Sequence, residues 1–170
     1  MLVGTTQRWP VAATVLVAAV ALTGCASAAP GDAQRTQGRS MTAESANTEQ
    51  LDLLDALKAA APASWGQTMV NRFRTCSTAS GEGGIQITRE IRGSGISDAR
   101  AAARAFRDEL TANGFDAEIR RGTEVVGTGP LNRFAAFNAD DGASIIQAYS
   151  ACYRFDLESS TPTVPATADD

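Results

Sequence analysis

Eight residues, Ile85 to Arg92, alternate apolar and polar side chains. Ile85, Ile87 and Ile91 fall on one side, interrupted by Arg89, while Gln86, Thr88, Glu90 and Arg92 fall on the other. Glycine bounds the run at both ends, as Gly81-Glu82-Gly83-Gly84 before it and Gly93-Ser94-Gly95 after it. A period of two between turn signals predicts a strand with one buried and one wet face. A helix repeats every 3.6 residues and would scatter the isoleucines around its circumference. Any fold open to this chain must put that strand in a sheet and cover one side of it.

The rest of the middle region follows the same grammar. Gln67 to Ser77 reads as the preceding strand, with Met69, Asn71, Phe73 and Thr75 on one face and Val70, Arg72, Arg74 and Cys76 on the other. Phe115 to Arg121 alternates again, a short strand is open over Thr123 to Val126, and Asn132 to Asn138 forms a further strand. Asp140-Asp141-Gly142 is a hairpin turn. Ala143 to Phe155 reads as the last and longest strand, with Cys152 on the face of Ile146 and Ala148. Two segments have helical spacing instead. Thr48 to Ala61 places Leu51, Leu54, Leu57 and Ala61 on one stripe, with Thr48 as N-cap and Pro62 as the stop. The second helix starts at Ser97 as N-cap, buries Ala99, Ala102, Ala103, Phe106 and Leu110, and ends near Asn113, where Gly114 suits the C′ position.

The order is helix, strand, strand, helix, three strands. It predicts an α+β fold, a mostly antiparallel sheet of about five strands with two helices packed on one face. The expected domain spans residues 48–157. A polar stretch over 25–47 lacks apolar periodicity and reads as a flexible tether, and 158–170 reads as a disordered acidic tail.

Composition excludes several chemistries. The 170 residues include no histidine, which removes a Ser-His-Asp triad, a Cys-His dyad and any histidine-ligated metal. The net charge of -4 argues against binding nucleic acid through a global positive field. Gly93-Ser94-Gly95-Ile96-Ser97-Asp98 sits at a strand-to-helix junction, but Asp98 replaces the third glycine of a phosphate-cradling turn and would repel phosphate. Asp140 and Asp141 fit the turn better than a carboxylate site. Neither G-x-S-x-G nor S-x-x-K occurs. No catalytic residue, cofactor or metal is expected.

The N-terminus carries an address. Arg8 supplies a positive n-region, and Val11 to Leu22 is an uncharged apolar run too short to span a bilayer. Residues 1–24 therefore read as a signal peptide. Leu22-Thr23-Gly24-Cys25 resembles the lipobox of bacterial lipoproteins, in which the cysteine thiol receives a diacylglyceryl group and becomes the first mature residue. The resemblance implies lipidation at Cys25 and a cell-membrane protein anchored on the extracytoplasmic face. An A-x-A signal at Ala26-Ser27-Ala28 supports plain secretion as the competing reading. Of three cysteines, Cys76 and Cys152 remain. In an oxidising compartment a disulfide is the default for such a pair, with two buried free thiols as the alternative. Helix, cysteine-bearing strand and late cysteine strand together resemble the small uncharacterised lipoproteins of high-GC Gram-positive bacteria.

The arginines are the remaining oddity, since Lys58 is the single lysine. Arg72, Arg74, Arg92 and Arg120 lie on predicted strands and form a candidate anion-binding patch for lipid headgroups, an anionic wall polymer or an acidic envelope protein. Cross-strand pairing with Glu90, Asp116 and Glu118 is the competing reading. The expected role is a non-enzymatic binding or accessory module held to the membrane by lipid; a wall-active enzyme using carboxylates is the alternative.

Overall fold

The structure is a computed structural model that describes residues 41–158 and 160–163. The expected signal peptide over 1–24, Cys25, residues 26–40 of the expected tether, Ser159 and residues 164–170 lie outside the described residues. Two helices and seven strands follow in the order α1 (Ala43–Ala60), β1 (Trp65–Ser77), β2 (Gly83–Ser94), α2 (Ala99–Ala112), β3 (Asp116–Arg120), β4 (Glu124–Thr128), β5 (Phe134–Ala139), β6 (Ala143–Tyr149) and β7 (Tyr153–Arg154). The sheet order is β1-β2-β6-β5-β4-β3, with β7 beside β2, and every pairing is antiparallel. The α+β expectation holds, with seven strands in place of about five.

The topology follows from where α2 takes the chain. After the β1–β2 hairpin, α2 crosses the sheet and delivers β3 to the far edge. β3, β4, β5 and β6 then return as a meander, and β6 pairs with β2. Both helices share one core with the sheet. Leu53, Leu54 and Leu57 of α1 and Ala103, Phe106 and Leu110 of α2 pack on Ile91, Val125, Ala135, Phe137, Ile146 and Ala148. The Phe106 and Phe137 rings stack at 4.6 Å between centroids.

Helix α1 starts earlier than Thr48. Thr42 is its N-cap and exchanges reciprocal hydrogen bonds with Ser45, a capping box. The first turns are polar on the outside, so their apolar content is too thin to register as a period. Tertiary contacts hold them: Ala46 is fully buried against Ile85, Ile87 and Tyr153. At the start of α2, Asp98 rather than Ser97 caps, accepting from the Ala101 N–H at 2.9 Å. The C-terminus of α2 is a Schellman closure: Gly114 has φ +78°, Gly114 N–H donates to Thr111 O, and Phe115 N–H donates to Leu110 O.

The last predicted strand is two pieces. β6 keeps one register with β2, through Thr88↔Tyr149, and β7 resumes at Ile85↔Tyr153 with one residue more. That extra residue is a bulge. It is stabilised locally: Ser150 N–H donates to Ile87 O, Ser150 Oγ accepts from Ile87 N–H, and Cys152 N–H donates to Leu131 O. A one-residue shift turns every following side chain to the opposite face. Tyr153 consequently packs on the helix side with Ile85, and Cys152 leaves the face of Ile146 and Ala148 on which an unbroken strand would have put it.

The shift is what lets the cysteines meet. Cys76 faces Gly84 in the β1–β2 register, and Gly84 in turn faces Arg154. The Cys76–Cys152 disulfide, with Cα atoms 6.1 Å apart, crosses β2 at Gly84. A Cβ at Gly84 would stand 2.4 Å from Tyr153 O and 3.1 Å from Cys152 Sγ. The bridge therefore does not join adjacent strands; it clamps β1 and the chain entering β7, which flank β2 at this end of the sheet.

Candidate functional site

Strand parity and register define the open face of the sheet, the one opposite the helices. One row of facing residues runs Arg72, Thr88, Tyr149, Phe134, Thr128, Asp116 across the six long strands. The next row runs Val70, Glu90, Gln147, Ala136, Val126, Glu118. A third holds Arg92, Ile145 and Asn138, and Glu124 faces Arg120 at its far end. Arg74 faces Gln86 one row beyond Arg72. All four arginines of the candidate patch thus lie on this face.

They do not form one patch. Arg120 sits on the opposite edge strand from Arg72 and Arg74 and is hydrogen-bonded to Glu118. Arg92 reaches Glu90 at 3.5 Å. Both acids are among the partners weighed from the sequence, but each pairing runs between residues two apart on one strand rather than across strands, and at the surface each is worth little, about 0–1 kcal/mol. Among the described residues, Arg72 and Arg74 make no ion pair, and neither do Asp116 and Glu124.

The middle of the face is aromatic. The Arg74 guanidinium lies 4.7 Å from the Tyr149 ring centroid, and Tyr149 stacks on Phe134 at 4.9 Å. A guanidinium so placed is attracted by the electron-rich face of the ring. Beside them is an open depression of about 480 Å³ lined by Arg74, Cys76, Gln86, Asn132, Phe134 and Tyr149. Gln86 is buried and spans its floor, donating to Asn132 O and to Ser150 O. Thr88 is also buried, and its hydroxyl has no hydrogen-bond partner among the described residues.

The rim of this depression is a strained turn. Leu131 and Asn132 have φ +57° and +62°, the left-handed region that non-glycine residues avoid. Hydrogen bonds from Cys152 N–H to Leu131 O, from Gln86 Nε2 to Asn132 O and from Asn132 Nδ2 to Ser77 O hold it. The turn leads into Arg133, whose guanidinium stacks on Phe115 at 4.8 Å. Partial burial lowers its pKa, and attraction to Glu49 opposes that effect.

Arg89, which breaks the isoleucine stripe, is on the helix face and fully buried. It donates to Gln50 Oε1 and to Asn47 Oδ1, the latter at 2.7 Å. The apparent interruption of an apolar stripe is the sheet half of a polar connection to α1. At the hairpin, Asp140 accepts from Gly142 N–H and Ala143 N–H, both at 2.8 Å, as its turn reading requires. Those bonds to the carboxylate lower its pKa. Asp116 was visible in the sequence as a wet strand residue, while Glu124 lay in the segment left open as a short strand. Their place opposite the basic edge depends on strand order.

These features define a small disulfide-clamped α+β domain with one helix-covered face and one charged, aromatic open face. No family model matches the chain, and no curated protein matches it. A solved structure of a DUF4853 family protein from Actinomyces odontolyticus is similar at 12% identity and a TM-score of 0.43, covering 71% of this chain and 72% of that one. No functional residue is carried across that overlap.

Proposed function

We propose that the chain is an exported lipoprotein, anchored through lipid on Cys25, whose domain is a non-enzymatic binding or accessory module acting through its open sheet face. The observation that carries this reading is the disposal of the cysteines. Cys76 and Cys152 are joined to each other, which suits an oxidising compartment and leaves Cys25 of the Leu22-Thr23-Gly24-Cys25 motif as the single remaining thiol. A diacyl anchor gives stable membrane attachment where one chain is marginal. The open face supports a binding role, because arginines on β1, an aromatic centre and carboxylates on β3 and β4 are all displayed to solvent.

Fractionation of cells expressing Cys25→Ser tests the anchor. The expected result is release of the chain from membranes, or retention of an unprocessed precursor. Normal cleavage with unchanged membrane retention would overturn it.

A further inference from the structure

The open face is polarised from edge to edge, and its charges are arranged to suit a copy of itself. Among the described residues, Arg72 and Arg74 stand without ion pairs on β1 and Asp116 and Glu124 without ion pairs on β3 and β4, and Tyr149 and Phe134 occupy the two middle strands. We propose that two copies of this chain associate face to face through this sheet, about a two-fold axis lying between the sheets and running along the strands. This rests on reading the open face as the binding surface, and it names the partner.

The geometry follows from the symmetry operation. Rotation by a half-turn about an axis along the strands reverses strand order and keeps each row level. β1 of one copy then lies over β3 of the other, β2 over β4, and β6 over β5. Arg72 meets Asp116 of the second copy, because both belong to one row. Arg92 meets Glu124, and Tyr149 meets Phe134. Each contact occurs twice, as a closed two-fold interface demands. Packed sheets stand about 10 Å apart, a gap that an arginine and a carboxylate bridge together.

Other occupants fit less well. A strand added to the β1 edge by a second copy, in antiparallel register, would put Arg72 and Arg74 against their own counterparts. A polyanion laid on the face would meet Asp116, Glu118 and Glu124 on a chain of net charge -4. Six strands at about 4.8 Å spacing make a face about 24 Å wide, which is small for a stable interface. The association is accordingly weak in solution. It strengthens when two copies share a membrane, where tethering supplies an effective concentration of about millimolar.

Charge-swap sedimentation on the mature chain carrying Cys25→Ser tests the proposal, with circular dichroism confirming that each variant is folded. The unswapped chain is expected to self-associate at high concentration, at least about tenfold more weakly in ~0.5 M than in ~0.05 M salt. Arg72→Glu and Asp116→Arg are each expected to be monomeric alone. An equimolar mixture of the two variants is expected to form a heterodimer, since both charge pairs are then restored. Folded variants that fail to associate on mixing, or a chain that stays monomeric at every concentration, would overturn it. If the chain is monomeric but Arg72→Glu abolishes capture of an envelope component from membranes, the dimer fails and the binding-module reading stands. If association and capture are both insensitive to Arg72→Glu, both readings fail.

Discussion

The fully buried guanidinium of Arg89 on β2 donates to the carboxamide oxygen of Gln50 on α1, 39 residues earlier in the chain. The same carboxamide turns its Nε2 to Ile87 O at 3.0 Å and to Ala148 O at 2.9 Å. One side chain thus connects the helix to two adjacent strands. A buried cation is costly unless its donors are met, and the carboxamide oxygens of Gln50 and Asn47 each accept from one of its terminal nitrogens.

Gln50→Leu is expected to be strongly destabilising, by about 2–4 kcal/mol, because it strips the guanidinium of one acceptor and two carbonyls of a donor. The loss should appear as a lower midpoint in urea with an unchanged slope. A midpoint within error of the parent would show that the Gln50 contacts are dispensable.

Gly84→Ala is expected to cost at least about 2 kcal/mol, since its methyl group would meet the Tyr153 carbonyl and the disulfide at once. The glycine is needed for close approach, not for an unusual φ. Thermal melting of the oxidised protein measures the cost, and thiol titration reports whether Cys76 and Cys152 still close. Gly83→Ala, at a neighbouring site with open space around it, is the matched control.

Alkaline stability should depend on Tyr153. Burial raises its phenol above the ordinary value of 10.0, so the folded state holds the proton more tightly than the unfolded chain. That stability is fully present below about pH 10 and is lost as pH rises toward and through the raised folded value. Denaturation series between about pH 9 and 11 should show stability falling in the parent and falling less steeply in Tyr153→Phe. Parallel slopes would exclude Tyr153 as the source.

The sequence was most legible where structure is local. Alternation with glycine punctuation located β2 and β3, and the Asp140 turn and the Gly114 helix stop were both read correctly. Longer-range outcomes were not written in any window. The start of α1 depends on Ala46 and Gln50 finding the sheet, the split of the last strand depends on Ser150 satisfying Ile87, and the fate of Arg89 depends on α1 lying across it. The four arginines could be placed on wet strand faces, but their division between two sheet edges could not.

By itself, then, the sequence determined where most helices and strands lie, which side of β2 and of β3 is apolar, and that Cys76 and Cys152 are the pair left once Cys25 is set aside. Those properties depend on spacing, capping and turn chemistry within a few residues of one another. Only the tertiary structure decided that β6 pairs with β2, that a one-residue bulge turns Cys152 toward Cys76 across Gly84, and that positive and negative residues stand at opposite edges of one face. Strand order and register are chosen by which arrangement buries the apolar faces and satisfies the buried polar groups together. That choice is made between segments distant in the chain.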